Sequence, residues 1–252
     1  MVMPEMAFDQ VPWWRVVVYL VLSTVVLGNV STVVRRRMNW ADGYSRKLNH
    51  IGIMLITVPL LAFLPDEQLV PAIFVGSVGL VAIYGLSAVS SRPLLFGIVS
   101  GSLRQRDAPY SRLFFFLPLI SFNVTLSLST LFFPMDIVRV AFYTVALADG
   151  LAEPVGLRFG GGNTYEVRDL VWGRRNTKSV AGSSMVFAVA FAIALAMLAT
   201  RPGIPVAAAA GIALAYAAAA TALEAVSPRG MDNMLLAAAC PLVLSSLMGV
   251  VV

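Results

Sequence analysis

The stretch SVAGSSMVFAVAFAIALAMLA, residues 179–199, contains no charged side chain and is dominated by Ala, Val, Phe and Leu. A helix of about 20 mostly apolar residues crosses the roughly 30 Å hydrocarbon layer of a bilayer. Lipid offers no partner for open backbone groups, so a spanning segment has to satisfy its own hydrogen bonds as a helix. Residues 179–199 therefore predict a transmembrane helix, and with it the fold class.

Similar apolar stretches recur along the whole chain. They cover residues 13–34, 48–64, 69–89, 112–133, 137–157, 204–226 and 233–252. We expect an all-α, polytopic transmembrane bundle of about eight spans. The loops between the spans are too short to hold a core of their own, so residues 1–252 are predicted to form a single integral membrane domain.

The composition agrees with this fold class. Of 252 residues, 59% are hydrophobic and 12% are charged, against roughly 25% charged residues in soluble domains. The formal net charge is +5 at pH 7. Basic loops beside apolar spans are orientation signals that face anionic lipid, so we expect no nucleic-acid partner.

The basic residues predict the orientation. Only Arg15, Arg139 and Arg201 fall on the side of the even-numbered loops and the N-terminus. The odd-numbered loops hold 15 of the 18 Lys and Arg residues: Arg35, Arg36, Arg37, Arg46, Lys47, Arg92, Arg104, Arg106, Arg112, Arg158, Arg168, Arg174, Arg175, Lys178 and Arg229. The positive-inside rule then places the N-terminus outside and these loops in the cytoplasm.

Two further features bear on processing and packing. Residues 1–12 contain no basic residue, so the first span is expected to remain in the mature protein. Cys240 is the only cysteine, which excludes an intrachain disulfide. Its apolar surroundings predict that it fills space in the core.

Four polar clusters lie at predicted cytoplasmic span ends, where a charged side chain is costly unless it has a partner or a task. The first is RKLNH at 46–50. Lys47 and His50 are three residues apart and share a helix face, so both can donate to a phosphate. Alternatively, the basic residues are interface anchors and His50 is a polar helix-end residue.

The second cluster is ADGLAEPVGLRFG at 148–160. Asp149 and Glu153 are four residues apart and so lie on one helix face. Two carboxylates this close repel each other unless a cation or a shared proton intervenes, which indicates a divalent metal or a general base. Alternatively, the pair binds basic loop residues.

The third cluster is KSVAGS at 178–183. Ser179 is predicted to cap the helix that follows, whose first amides, near Gly182, and positive dipole end favour phosphate beside Lys178. The spacing is not that of a P-loop. A basic loop with a helix cap is the alternative.

The fourth cluster is EAVSPRGMDN at 224–233. Glu224 lies near the end of one helix, and Asp232 is expected to cap the next. The short Pro-Gly turn between them should bring both carboxylates to the same surface.

Taken in order, the four motifs and Pro241 resemble the membrane family of polyprenol, dolichol and phytol kinases, which is distantly similar to phosphatidate cytidylyltransferases. The resemblance covers the chain from the second span to the last. It implies transfer of the terminal phosphate of a nucleoside triphosphate, typically CTP, to a long-chain isoprenoid alcohol at the cytoplasmic face, with Mg²⁺.

The resemblance and the shared membrane side together suggest a set of roles. The proposed catalytic residues are Asp149 and Glu153, either of which would accept the alcohol proton. The proposed metal ligands are Asp149, Glu224 and Asp232. The proposed nucleotide and phosphate ligands are Lys47, His50, Lys178, Ser179, Gly182 and Asn233.

The sequence also departs from related families. Residues 104–107 read RQRD, where relatives often carry a basic stretch followed by Glu, and the C-terminal signature of the cytidylyltransferases is missing. A CTP-dependent diacylglycerol kinase, a CDP-lipid-forming cytidylyltransferase and a proton- or cation-coupled transporter stay open as alternatives. The sequence leaves the alcohol, the nucleotide base and the oligomeric state undetermined.

Overall fold

The structure, a computed structural model, describes residues 7–249, with the side chains of Asp42 and Arg106 left out. It is mostly helical. We number the longer helices in chain order: α1 Trp13–Met38, α2 Asp42–Leu60, α3 Asp66–Val89, α4 Pro93–Ser100, α5 Leu113–Phe132, α6 residues 135–159, α7 Val180–Ala199, α8 Val206–Val226 and α9 Asp232–Leu247.

Five of these helices are long and apolar enough to cross a membrane: α1, α3, α5, α7 and α8. Several expose large apolar side chains, such as Val206 at 71% and Leu214 at 54%, as lipid-facing surfaces do. The expectation of a helical membrane protein with several spans is confirmed at this level.

Three other predicted spans are also helical. The helices α2 and α6 carry charged residues, and α9 has only 16 residues. The first six residues and residues 250–252 lie outside the described part of the chain, so the last predicted span, 233–252, is seen only up to residue 249. The number of eight spans and the outside N-terminus stay predictions.

The chain divides into two compact units, one ending at Ser127 and the other beginning at Leu128 within α5. In the first unit, Thr32 of α1 donates a hydrogen bond to the carbonyl of Gly97 at 2.5 Å and accepts one from the amide of Gly101 at 2.7 Å. These bonds hold α4, a helix of eight residues in a segment that we expected to be a loop.

In the second unit, residues 158–178 contain an antiparallel hairpin rather than the expected loop. Strand β1, Thr164–Arg168, pairs with β2, Arg175–Ser179, so that Thr164 lies opposite Ser179. The structure is otherwise mostly helical, which is consistent with the predicted all-α class, and the hairpin corrects only the expectation of a loop. In β1, Tyr165 and Val167 alternate with polar residues, which is the usual signal of a half-buried strand, but this pattern covers only five residues and β2 contains no apolar residue.

The helix α6 is continuous but contains a π-helical segment, Thr144–Asp149. The Thr144 hydroxyl donates to the carbonyl of Val140 at 2.9 Å and lies 2.9 Å from the hydroxyl of Tyr216 in α8. Such segments are often found at functional sites. Here the last residue of the segment is Asp149.

Candidate functional site

An ion pair between Lys178 and Glu224 is the centre of the candidate site. Lys178 is the fourth residue of β2, and its ammonium binds the Glu224 carboxylate in the last turn of α8. The same ammonium donates to the Glu224 carbonyl oxygen at 3.0 Å. The two side chains are 20% and 7% exposed. A cation is favoured at the C-terminal end of a helix, and here it also neutralises a buried carboxylate.

Two more carboxylates lie close to Lys178. Burial acts to lower the pKa of the Lys178 ammonium, but the negative charges of Glu224, Asp232 and Asp149 outweigh burial and raise that pKa. The structure therefore brings three carboxylates, from α6, α8 and α9, within electrostatic range of one cation. The ion pair needs only one of them.

Asp149 reaches this position through the π-helical segment of α6. Its side chain is 3% exposed, and Glu153 follows one turn later with intermediate exposure. Both carboxylates interact with other groups of the protein. Because Asp149 is almost fully buried, its charge acts in a medium that screens poorly.

Glycines let α6 approach the start of α7. A Cβ atom on Gly182 would lie 2.9 Å from the carbonyl oxygen of Ala152, and one on Gly160 would lie 2.6 Å from the Cβ of Ser179. The predicted cap is confirmed, since the Ser179 hydroxyl accepts a hydrogen bond from the amide of Gly182 at 3.1 Å. Gly182 thus contributes both the close approach and the capped amide.

Asp169, which the sequence analysis did not single out, organises the loop between the strands. Its side chain is 1% exposed. One carboxylate oxygen accepts from the amides of Val171 at 3.0 Å and Trp172 at 2.9 Å. The other accepts from the Asn176 side chain at 2.9 Å and from the amide of Arg229 at 2.8 Å.

These hydrogen bonds govern the charge of Asp169. Burial acts to raise the pKa of its carboxyl group, but the four donated hydrogen bonds outweigh burial and lower that pKa. Asp169 is therefore an ionised carboxylate with its lone pairs occupied. No sequence motif predicts this role of Asp169, because its hydrogen-bond donors come from the loop that follows it and from Arg229, 60 residues away.

The hairpin is joined to the turn between α8 and α9. The indole of Trp172 donates to the carbonyl of Arg229 at 3.0 Å, next to the Asp169 bond to the Arg229 amide. The strand that carries Lys178 and the turn between Glu224 and Asp232 are thus held together. This link places Lys178 against the end of α8.

The start of α9 differs from the prediction. The cap residue is Met231, without a side-chain capping bond, and Asp232 is the first helical residue. Asp232 instead accepts a hydrogen bond from the amide of Asn233 at 3.0 Å. The side-chain oxygen of Asn233 is buried without a hydrogen-bond partner, which is unusual for a buried polar atom.

Metal binding by protein side chains alone is not preformed in the described part of the chain. Among residues 7–249, no group of three or more His, Cys, Asp or Glu side chains is placed to hold a metal ion. Of the three proposed metal ligands, Glu224 is already paired with Lys178. Their oxygens are nevertheless the hard ligands that Mg²⁺ prefers.

Lys47 and His50 belong to α2, in the unit that ends at Ser127. Lys47 is 3% exposed. Near them in the chain, the Asn49 side chain donates to the Tyr84 hydroxyl at 3.0 Å and to the Ser102 hydroxyl at 3.3 Å. Their predicted part in phosphate binding stays a prediction.

Arg104 and Asp107 form a second ion pair that the sequence analysis did not foresee. The guanidinium Nε lies 3.0 Å from a carboxylate oxygen, and the side chains are 7% and 2% exposed. The hydroxyl of Ser111 donates to the carbonyl of Arg104 at 2.7 Å. The spacing of three residues was visible in the sequence, but the burial of the pair was not.

Comparisons with known proteins give no further guide, since no family model, no curated protein and no solved structure matches this chain.

Proposed function

We propose that the protein is a lipid-alcohol kinase that transfers the terminal phosphate of a nucleoside triphosphate, preferably CTP, to a long-chain isoprenoid alcohol such as phytol, dolichol or another polyprenol. One observation supports the proposal: the half-buried Lys178 is paired with Glu224 at the end of a candidate span, and the carboxylates of Asp149 and Asp232, from two other helices, also act on its charge. A lysine and several carboxylates are the groups that phosphoryl transfer needs for positioning and charge neutralisation.

The proposed reaction is an in-line displacement at the terminal phosphorus. The alcohol oxygen forms a bond to that phosphorus while the bond to the bridging oxygen breaks, so that a nucleoside diphosphate leaves. The alcohol proton passes to Asp149, the last residue of the π-helical segment, or to Glu153, one turn later. Lys178, Ser179, Gly182 and Asn233 would bind the nucleotide and its phosphates.

Magnesium fits this proposal when it enters with the nucleotide. An Mg²⁺ ion bound to triphosphate needs only one or two protein carboxylates, because phosphate oxygens and water complete its octahedral shell. Asp149, Glu224 and Asp232 are the residues that would supply them. The ion would neutralise the charge that develops on the transferred group.

The alcohol substrate would approach from the bilayer. The ion pair lies where α8, a candidate span, ends, so a hydroxyl group at the membrane surface is within reach while its chain stays in lipid. The positive-inside rule, applied to the basic loops, assigns this surface to the cytoplasm. A diacylglycerol hydroxyl would sit at the same depth.

The test is a matrix of nucleotides and lipids with the purified protein. Radiolabelled CTP, ATP, GTP and UTP are each incubated with phytol, polyprenol and diacylglycerol in the presence of Mg²⁺. A phosphorylated isoprenoid alcohol together with a nucleoside diphosphate supports the proposal. Pyrophosphate with a CDP-lipid would identify a cytidylyltransferase instead, and diacylglycerol as the sole acceptor would identify a diacylglycerol kinase.

A matched pair of variants tests the site within that assay. Asp149→Asn should lower kcat by about 100-fold to 10,000-fold, the usual loss for a general base. Glu166→Gln is the control, because Glu166 is an exposed carboxylate paired with Arg175 on the hairpin. Full activity of folded Asp149→Asn would remove Asp149 from the chemistry, and ion flux without nucleotide would favour a transporter.

A further inference from the structure

The loop of the hairpin presents apolar side chains that the described part of the chain leaves uncovered. We define the hairpin tip as Leu170, Val171 and Trp172. Leu170 is 83% exposed, the highest value among the large hydrophobic residues that the structure describes, and Val171 is 55% exposed. Neither residue belongs to a candidate span, so lipid contact along a transmembrane helix does not account for them.

The hairpin tip is held in this conformation. The amides of Val171 and Trp172 bind the Asp169 carboxylate, and the Trp172 indole donates to the Arg229 carbonyl at 3.0 Å. Gly173 closes the loop with a φ of 62°, which favours glycine. The polar groups of the loop are thus satisfied on its inner side, and Leu170 and Val171 are left facing outward.

The level of the hairpin tip relative to the bilayer follows from the same bonds. Arg229 lies three residues after Val226, where the candidate span α8 ends. With α8 as a membrane span, a loop bonded to that turn would lie at the boundary between hydrocarbon and headgroups. Exposed Leu, Val and Trp side chains are stable there, and Trp in particular is enriched at this boundary.

The charged residues beside the hairpin tip indicate which headgroup charge it would bind. Arg168 ends β1 and Arg174 precedes β2, and both are exposed. Arg175 is also exposed but is paired with Glu166 at 2.9 Å. The Asp169 carboxylate is turned inward and nearly fully buried. The outer surface around the tip therefore has an excess of positive charge, which complements anionic headgroups.

We propose that the hairpin tip inserts Leu170 and Val171 into an anionic phospholipid leaflet, with Arg168 and Arg174 on the headgroups. Apolar side chains in the acyl boundary, together with arginines at headgroup level, form the general pattern of interfacial membrane contacts. The proposal does not depend on the reaction proposed above. It assigns the loop a lipid-binding role in addition to its connection of two strands.

The experiment uses the full chain in nanodiscs. Cys240→Ala removes the only native cysteine, and Leu170→Cys is labelled with an environment-sensitive fluorophore. Thr177→Cys, an exposed site within β2, is the labelled control. Nanodiscs contain either phosphatidylcholine alone or an equimolar mixture with phosphatidylglycerol, and acrylamide, a neutral quencher, reports access to water.

In anionic nanodiscs, we expect the label at residue 170 to emit at shorter wavelength than in phosphatidylcholine nanodiscs. Acrylamide should quench this label at most half as strongly in the anionic nanodiscs as in phosphatidylcholine. The label at residue 177 should stay accessible to acrylamide in both. High salt, or Arg168→Gln with Arg174→Gln, should remove the difference between the two lipid mixtures. Equal shielding in both mixtures would overturn the role of the arginines. Free access of acrylamide in both mixtures would overturn insertion and leave the tip for a protein partner.

Discussion

The ion pair between Lys178 and Glu224 is a structural contact and, in the proposed function, also part of the reaction site. Breaking a buried ion pair by removing one partner leaves the other charge unpaired, at a cost of about 3–5 kcal/mol when burial is complete. Here Lys178 is 20% exposed, so we expect less. The two roles can be separated by comparing single and double variants.

Lys178→Met should lower both thermal stability and the proposed kinase activity, because it leaves Glu224 buried without a cation and removes a proposed phosphate ligand. In Lys178→Met/Glu224→Gln the unpaired charge is gone, so most of the stability should return while kcat stays at least about 100-fold below that of the parent protein. The measurements are thermal unfolding in detergent and the phosphorylation assay. Recovery of activity in the double variant would assign the pair a purely structural role.

Asp169 is predicted to be the more important residue for the stability of the hairpin. Asp169→Ala removes the acceptor of four hydrogen bonds and should destabilise the protein by about 2–4 kcal/mol. Glu166→Ala, which removes only an exposed ion pair, should cost less than about 1 kcal/mol. Thermal unfolding of the two variants provides the comparison, and equal effects would contradict the role of Asp169.

The lowered pKa of Asp169 also predicts a pH dependence. Because the folded pKa lies below the unfolded one, the contribution of this carboxylate is complete above the ordinary carboxyl pKa and is lost as the pH falls through the folded pKa. The thermal midpoint of the parent protein should therefore fall more steeply in acid than that of Asp169→Asn. Parallel pH curves for the two proteins would argue against an ionised Asp169.

The sequence predicted the role of a residue correctly where its neighbours in the chain determine that role. Ser179 as a helix cap follows from its position before an apolar run, and the burial of Cys240, 1% exposed, follows from its apolar neighbours. Asp169 has no such signal, since its donors become neighbours only when the hairpin meets the turn at Arg229. The position of Asp232 was wrong by one residue because a cap depends on backbone angles at the helix start.

At the scale of elements, the contact between α6 and α7 depends on the lack of a side chain at Gly182. Gly182→Ala would place a methyl group 2.9 Å from the carbonyl of Ala152, so the two backbones must separate, at a cost of about 1–3 kcal/mol. In α8, a methyl group on Gly211 would meet no atom within 4 Å, so Gly211→Ala should instead stabilise the helix by about 0.5–1 kcal/mol. Thermal unfolding should show a loss of stability in Gly182→Ala and a gain in Gly211→Ala. A loss of stability in Gly211→Ala would contradict the expectation for α8.

The helices and strands differed in how well the sequence predicted them. The bounds of the apolar helices agree closely with the prediction: residues 179–199 are observed as Val180–Ala199, and residues 204–226 as Val206–Val226. Hydrophobic burial in lipid depends on composition, which the sequence displays directly. Strands β1 and β2 are only five residues long, and β2 contains no apolar residue. The hairpin is held by contacts with the α8–α9 turn, so its pairing was not predictable from local pattern.

At the scale of the whole molecule, the basic loops predict which side of the membrane each segment faces. In right-side-out vesicles of a Cys240→Ala background, Thr200→Cys, after α7, should react with a membrane-impermeant maleimide. Thr177→Cys, in the hairpin, should react only after the vesicles are opened. The reverse pattern would invert the orientation, and reaction of both sites before opening would mean that α7 does not cross the membrane.

The extra residue of a π-helical segment changes the direction of everything that follows it. Each residue of an α-helix turns the chain by about 100°, so shortening Thr144–Asp149 by one amino acid would swing Asp149 and Glu153 to a different side of α6 without altering either of them. An ancestor or relative lacking that one amino acid would keep every motif and yet aim its acidic groups elsewhere. In the proposed site, the number of residues in α6 therefore matters as much as the identity of its acidic side chains.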